Sequence, residues 1–198
     1  MGLLDLFKNG PPDAIELLKE DHEKFRRMFQ DFEEAEGPAQ KQRIVREVLE
    51  QLEAHMIIEE EIFYPAVRRS DNDEKHQAKM AEAIEEHHVA KLLMSELRNK
   101  TKASHESRDA KFQVLSESVK HHIEEEESDV LPKAKEEELD LAALGRKMAQ
   151  RKQRFFQHKT GGARSRHTTD RLRPRRAVKT SRTKKSTAHG KARVKSRG

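Results

Sequence analysis

Two stretches of this chain repeat one pattern over eleven positions: His55-Met-Ile-Ile-Glu59-Glu60-Glu-Ile-Phe-Tyr-Pro65 and His122-Ile-Glu-Glu-Glu126-Glu127-Ser-Asp-Val-Leu-Pro132. In each, a His is followed four residues later by a Glu and then by a second Glu. Ten residues after the His, a proline ends the pattern. On a helix, side chains at i and i+4 stand one above the other. Each stretch therefore offers an imidazole and a carboxylate to the same point. One such pair is ordinary in a Glu-rich chain. Two in matched frames point to helices that converge on a metal site.

Apolar spacing predicts those helices. The first reads Ile15, Leu18, His22, Phe25, Phe29, Phe32, and the second Val45, Val48, Leu52, His55, Glu59, Ile62, Ala66. The third reads Met80, Ala83, His87, Ala90, Met94, Leu97, and the fourth Phe112, Leu115, Val119, His122, Glu126, Val130. Steps of three and four make the seam of a helix packed in a bundle. Asp13 with Glu16 forms a capping box, and Gly37-Pro38 separates the first two helices. Short polar connections, Ser70 to Asp73 and Lys102 to Ser107, force antiparallel neighbours. The expected fold is all-α, an up-down-up-down antiparallel four-helix bundle.

Its halves look duplicated. Asp21-His22 matches Glu86-His87, and 33 residues separate His22 from His55 where 35 separate His87 from His122. After Pro132, the run from Leu139 to Phe156 predicts a short fifth helix with Leu141, Leu144, Met148 and Phe155 facing inward.

Composition divides the chain in the same place. Residues 1–150 carry 23 Lys+Arg against 35 Asp+Glu, a formal charge of −12. Residues 151–198 carry 18 against one, a formal +17, which leaves the chain at +5. The expected organisation is a bundle domain over 13–156 and a disordered Lys/Arg-rich tail over 157–198, too poor in apolar residues to order itself. The absence of cysteine excludes disulfides, thiolate metal sites and cysteine nucleophiles. No apolar run approaches a membrane span, and neither a His-Glu-x-x-His signature nor a Gly-rich phosphate loop is present. A soluble, cytoplasmic protein is the expectation.

His22, His55, Glu59, His87, His122 and Glu126 occupy seam positions where Leu or Ile would be expected. Six polar groups in a bundle core are costly unless hydrogen-bonded or coordinated. Four imidazoles and two carboxylates make a mixed N/O set suited to iron or manganese. A lone seam His is more often a hydrogen-bonded core residue, but six groups in register favour ligation. His88 and His121 lie about 100° around their helices from the seam, and Glu60 and Glu127 one step off it. These four suit an outer role or the surface. His76, His105, His158, His167 and His189 fall in polar stretches and read as solvated.

These motifs resemble the hemerythrin family in its bacterial HHE cation-binding form. The resemblance rests on Leu18-Lys-Glu-Asp-His22, the two His-x-x-x-Glu-Glu…Pro stretches, Glu86-His87 and Leu144-Gly-Arg-Lys-Met148, and covers about residues 13–155. It implies a four-helix bundle around a non-haem centre of two iron ions. Glu59 and Glu126 would bridge them, with His22 and His55 on one iron and His87 and His122 on the other. Oxygen carriers of the family have a further third-helix His, where this chain has Ala83 and Lys91. Their fourth-helix bridge is an Asp at a spacing that here selects Glu127, the alternative to Glu126. The His87 iron would then lack one protein ligand unless His88 supplies it. An open position could admit dioxygen, peroxide or nitric oxide. The implied function is binding or sensing of such small oxidants. Iron storage or sensing without turnover, or a metal-free helical adaptor acting through its tail, are the alternatives.

Within the tail, Arg173, Arg175, Arg176, Lys184, Lys185, Arg193, Lys195 and Arg197 form basic clusters without interleaved aromatics. That composition favours unspecific phosphate contacts with DNA or RNA over base stacking, and over a membrane surface, for which an amphipathic apolar face is missing. The sequence leaves the oligomeric state open.

Overall fold

Residues 12–70, 73–99 and 104–168 are described in this computed structural model. The tail residues from Arg173 to Arg197 named above, and the disorder expected of them, lie outside the described residues. The first helix, α1 (Ala14–Glu34), starts at the expected capping box. The Glu16 amide donates to the Asp13 carboxylate at 2.9 Å, and the Asp13 amide donates to the Glu16 carboxylate at 3.1 Å. The second, α2 (Pro38–Ile58), opens with proline in its first turn, where a missing N–H costs nothing.

Neither proline of the doubled pattern ends its helix. From α2 the chain passes through a π-helical turn, Glu59–Phe63, into α3 (Tyr64–Ser70). The Tyr64 amide reaches back five residues to the Glu59 carbonyl. The fourth rod repeats this, with α5 (His105–Glu125), a π-helical turn at Glu126–Val130, and α6 (Leu131–Glu136). A proline lacks the donor for an ordinary helical bond, and its ring collides with the carbonyl four residues back. A π turn widens the helix by one residue just before Pro65 and Pro132 and relieves both problems. Between these rods stands α4 (Glu74–Arg98).

The four rods form the expected bundle, with α1 on α2, α4 on α5, and the two hairpins packed through α2 on α4 and α1 on α5. The apolar core lies in two blocks. The upper gathers Phe25, Phe29, Phe32, Leu52, Met94 and Phe112 with their neighbours, and the lower Leu18, Ile58, Phe63, Tyr64, Met80 and Leu131 with theirs. The buried histidines and glutamates lie between the blocks along all four helices. Each fully buried large apolar side chain contributes roughly 1.5–3 kcal/mol. The two blocks together can therefore carry a polar layer that would not hold alone.

The fifth helix differs from expectation. It begins at Leu141, after the Asp140 side chain accepts from the Ala143 amide, and runs to Thr168. At 28 residues it is longer than any of α1 to α6 rather than short. Packing of Leu141, Leu144 and Met148 against the lower block nucleates it, and propagation beyond a formed helix costs little per residue. Labelled α7, it lies against α1 and α2 and spends part of the basic segment on the acidic bundle. Arg151 meets Glu61 with two hydrogen bonds of 2.6 and 2.8 Å, Lys159 meets Glu53 at 3.1 Å, and Lys152 meets Asp21.

Gly145 lets α7 come this close. A Cβ there would stand 2.4 Å from the Pro12 carbonyl oxygen and 2.7 Å from the Asp13 carbonyl carbon, both backbone atoms at the start of α1. Replacing Gly145 with Ala is expected to cost about 1–3 kcal/mol, measured by urea unfolding, because α7 must lift from the Asp13 cap. Unfolding free energy equal to that of the parent chain would contradict this packing.

Candidate metal centre

His22, His55, Glu59, His87, His122 and Glu126 are all buried and all face the space between the two apolar blocks. One donor atom from each of His22, His55, Glu59 and Glu126 lies within 4.8 Å of the others, and so does one from each of Glu59, His87 and His122. Glu59 belongs to both groups, and Glu126 to the first alone. His55 Nε2 is 2.9 Å and His87 Nε2 3.3 Å from Glu59 oxygens, while His22 Nε2 is 3.2 Å from Glu126. His87 Nε2 and His122 Nε2 stand 3.1 Å apart.

Each imidazole is held from behind by a carboxylate on a neighbouring helix. His55 Nδ1 is 3.1 Å from Asp21, His87 Nδ1 2.8 Å from Glu60, His122 Nδ1 2.8 Å from Glu86, and His22 Nδ1 2.9 Å from Glu127. The carboxylates run from α1 to α2, from the π turn after α2 to α4, from α4 to α5, and from the π turn after α5 to α1, so the four bonds close a ring around the bundle.

Electrostatics keeps these carboxylates ionised. The His122 hydrogen bond holds Glu86 below the usual carboxylate range. Burial alone would push Asp21 up, but His55 and Lys152 overcome it and hold Asp21 at about 2. Against burial, Glu60 is held down by His87 and Lys91, and Glu127 by Arg26 and His22. An ionised carboxylate only accepts, so Nδ1 carries the hydrogen in every case. A neutral imidazole then presents a bare Nε2 lone pair to the interior.

That arrangement leaves acceptors facing acceptors. Both oxygens of Glu59, both oxygens of Glu126, and Nε2 of His22 and His55 have no hydrogen-bond partner, although they approach one another closely. Burial pushes the Glu59 carboxyl far up, and the charge of Glu126 adds to it. Burial also pushes His87 down to about 4, which keeps it neutral, while Glu86, Glu126 and Glu59 hold His122 up despite its burial. The layer calls for positive charge between its donors. Protons held on Glu59 and His122 supply part of it. Metal ions, taking Nε2 and carboxylate oxygens as ligands, supply it well.

A family model, the hemerythrin HHE cation-binding domain, matches residues 13–134. The chain belongs to the hemerythrin family. Comparison with curated proteins and with solved structures found no match. Among the described residues no helix is long and apolar enough to cross a membrane.

Within this hemerythrin-family domain the off-seam residues part company. Glu60 and Glu127 are the outer acceptors of His87 and His22. Glu127 also takes Arg26 at 2.8 Å and points away from the interior, so the inward carboxylate of the fourth rod is Glu126. His88 and His121 are exposed and bring no ring nitrogen to either buried group. Where the carriers' extra His would stand, Ala83 fills the lower block and Lys91 pairs with Glu60 at 2.6 Å.

Sequence reasoning missed the roles of Asp21, Glu86, Lys152 and Tyr64. The first two were visible as acids directly before His22 and His87, but each serves the histidine of another helix. Tyr64 is buried beside His87, with ring centroids 5.8 Å apart and a hydroxyl without a hydrogen-bond partner. Burial and the nearby Glu126 and Glu59 hold its proton on firmly.

Outer-carboxylate loss at such sites usually costs 10–100-fold in metal affinity. Asp21→Asn is expected to weaken divalent metal binding by roughly that factor, read by competition with a chelator, while His88→Ala leaves it unchanged. Equal affinity in Asp21→Asn would contradict the ring, and a loss in His88→Ala would return that residue to the ligand set.

Proposed function

We propose that this protein is a cytoplasmic non-haem di-iron protein that binds or senses small oxidants such as dioxygen, peroxide or nitric oxide. The observation that carries this reading is the inequality of the two donor groups. His22, His55, Glu59 and Glu126 offer four donors to one position, and Glu59, His87 and His122 offer three to the other. A small cavity of about 20 Å³ adjoins His87 and His122 of the three-donor group and His55 of the other, walled mainly by Leu52, Met56, Ala90, Val119 and Ile123, with Glu86 and Ser118 at its edge.

Two ferrous ions held by these residues would supply electrons and one open coordination position to an incoming oxidant. The chain does the rest. Its aliphatic walls exclude water and favour a small apolar molecule. The ring of outer carboxylates fixes each imidazole, so that Nε2 cannot turn away. Tyr64 keeps a proton at its hydroxyl close to Glu126, inside a space otherwise rich in acceptors. Glu59, shared by the two groups, would hold both ions, and Glu126, which belongs to the four-donor group alone, would hold one.

The cavity gives a direct test. Ala90→Leu narrows it from α4 and leaves every donor residue unchanged. Nitric oxide association with the anaerobic, ferrous-loaded protein, followed by absorbance, should slow several-fold while metal content stays the same. An unchanged association rate would show that ligands do not reach the centre by this side.

The basic tail is proposed to hold the protein near DNA or RNA. Its support is charge. Residues 151–198 bear a formal +17, and only Arg151, Lys152 and Lys159 are seen paired with bundle acids among the described residues. A chain lacking residues 169–198 should lose retention on double-stranded DNA that weakens steeply with salt. Retention that survives the truncation would assign it elsewhere.

A further inference from the structure

Three of the four outer carboxylates close on a fixed cation. Asp21 meets Lys152, Glu60 meets Lys91, and Glu127 meets Arg26. Glu86 meets no Lys or Arg among the described residues; its partner is His122. It faces His121 and Glu125 instead, and one donor atom from each of the three lies within 4.8 Å of the others. His121, 64% exposed, places Nε2 3.6 Å from the Glu125 carboxylate one helical turn away.

A second observation gives this surface group a direction. Under it opens a small pocket of about 10 Å³, with Glu86 and Glu125 toward solvent and the buried His122 and Glu126 within. Glu126 is 1% exposed, and neither of its oxygens has a hydrogen-bond partner. An unpartnered buried carboxylate thus lines the same small pocket as Glu86 and Glu125, together with Lys79, Ala83 and Val130, and His121 stands beside Glu125.

We propose that Glu86, His121 and Glu125 form a surface docking site for a divalent cation on its way to the buried donors. This inference rests on reading the buried layer as a metal centre. Two carboxylates and one imidazole suit a ferrous or manganous ion that keeps part of its water shell. Metal–ligand distances of about 2.0–2.2 Å ask for only small movements of these half-exposed side chains. Retention would be brief, because the Lys79 ammonium competes for Glu125 at 3.3 Å while also holding Glu82 at 2.9 Å. Lys79 acts as a latch. When it leaves Glu125 for Glu82, the site opens. A captured ion then passes to Glu126 and His122, and no bond is made or broken apart from its coordination.

The test uses the full-length chain stripped of metal and mixed anaerobically with Co²⁺, whose absorption reports occupancy of the buried site. Final metal content is read separately by plasma emission. The double variant His121→Ala/Glu125→Gln leaves every buried donor and every outer carboxylate in place. It should fill about tenfold more slowly at low Co²⁺, the lower end of what electrostatic focusing adds to an on-rate, and reach the same final content as the parent. Lys79→Met should fill faster than the parent. A double variant that fills at the parental rate, or a Lys79→Met variant that fills no faster, would overturn the docking site. So would a double variant that loses a resident ion along with its speed. A parent chain that never takes up metal would overturn the metal-centre reading itself, a result distinct from all of these.

Discussion

The structure depends on one hydrogen bond made four times, from an imidazole Nδ1–H to an ionised carboxylate on the next helix. The bond fixes the tautomer and orients the ring, and so decides that Nε2 faces the interior. It also binds each helix of the bundle to its neighbour. Hydrogen bonds to charged groups contribute about 1.5–3 kcal/mol, and here they close a circuit, so no helix can turn about its axis without breaking two of them. The carboxylates must stay ionised although Asp21 is buried and the other three half-buried. For that reason Asp21, Glu60 and Glu127 each have a Lys or Arg behind them. The fifth helix takes part through Lys152, and Gly145 allows it to pack closely enough to do so.

The backbone serves the same layer. Glu59 and Glu126 stand at the first positions of the two π-helical turns, and each turn takes in the extra residue that a following proline demands. The apolar blocks above and below shield the layer from water, which strengthens every interaction inside it and raises the cost of any donor left unmatched. A buried set of acceptors without positive charge would be an expensive feature. Two carboxylates and two unpartnered imidazole nitrogens, beside the His87–His122 pair, make sense as a receptacle for cations.

Much of this was legible in the sequence because the side chains that build the centre are also the ones that interrupt a periodic apolar seam. His22, His55, Glu59, His87, His122 and Glu126 fall in phase with Phe, Leu and Val, and phase alone sends them inward. The bundle and the duplicated halves follow from the same periodicity. The outer shell was harder to read. Glu60 and Glu127 stand next to inward glutamates, but nothing in their spacing tells which histidine they serve. Asp21 and Glu86 reach across to other helices, a matter of packing rather than of local sequence. Pro65 and Pro132 look like stops, since an ordinary helix cannot take them, and only the π turns show how the helix continues. The length of the fifth helix was hidden by the composition of its outer half, which lacks the apolar stripe that would have marked it.

The most direct test of a layer built to hold cations is the metal content of the chain purified without chelator and without an affinity metal, with iron, manganese and zinc read together by plasma emission. About two irons per chain, as expected for a bundle core lined with facing His and Glu donors, is the result predicted by two donor groups sharing Glu59. A chain that stays metal-free even after anaerobic ferrous loading would contradict it and leave the ring of histidines and carboxylates as a purely structural device.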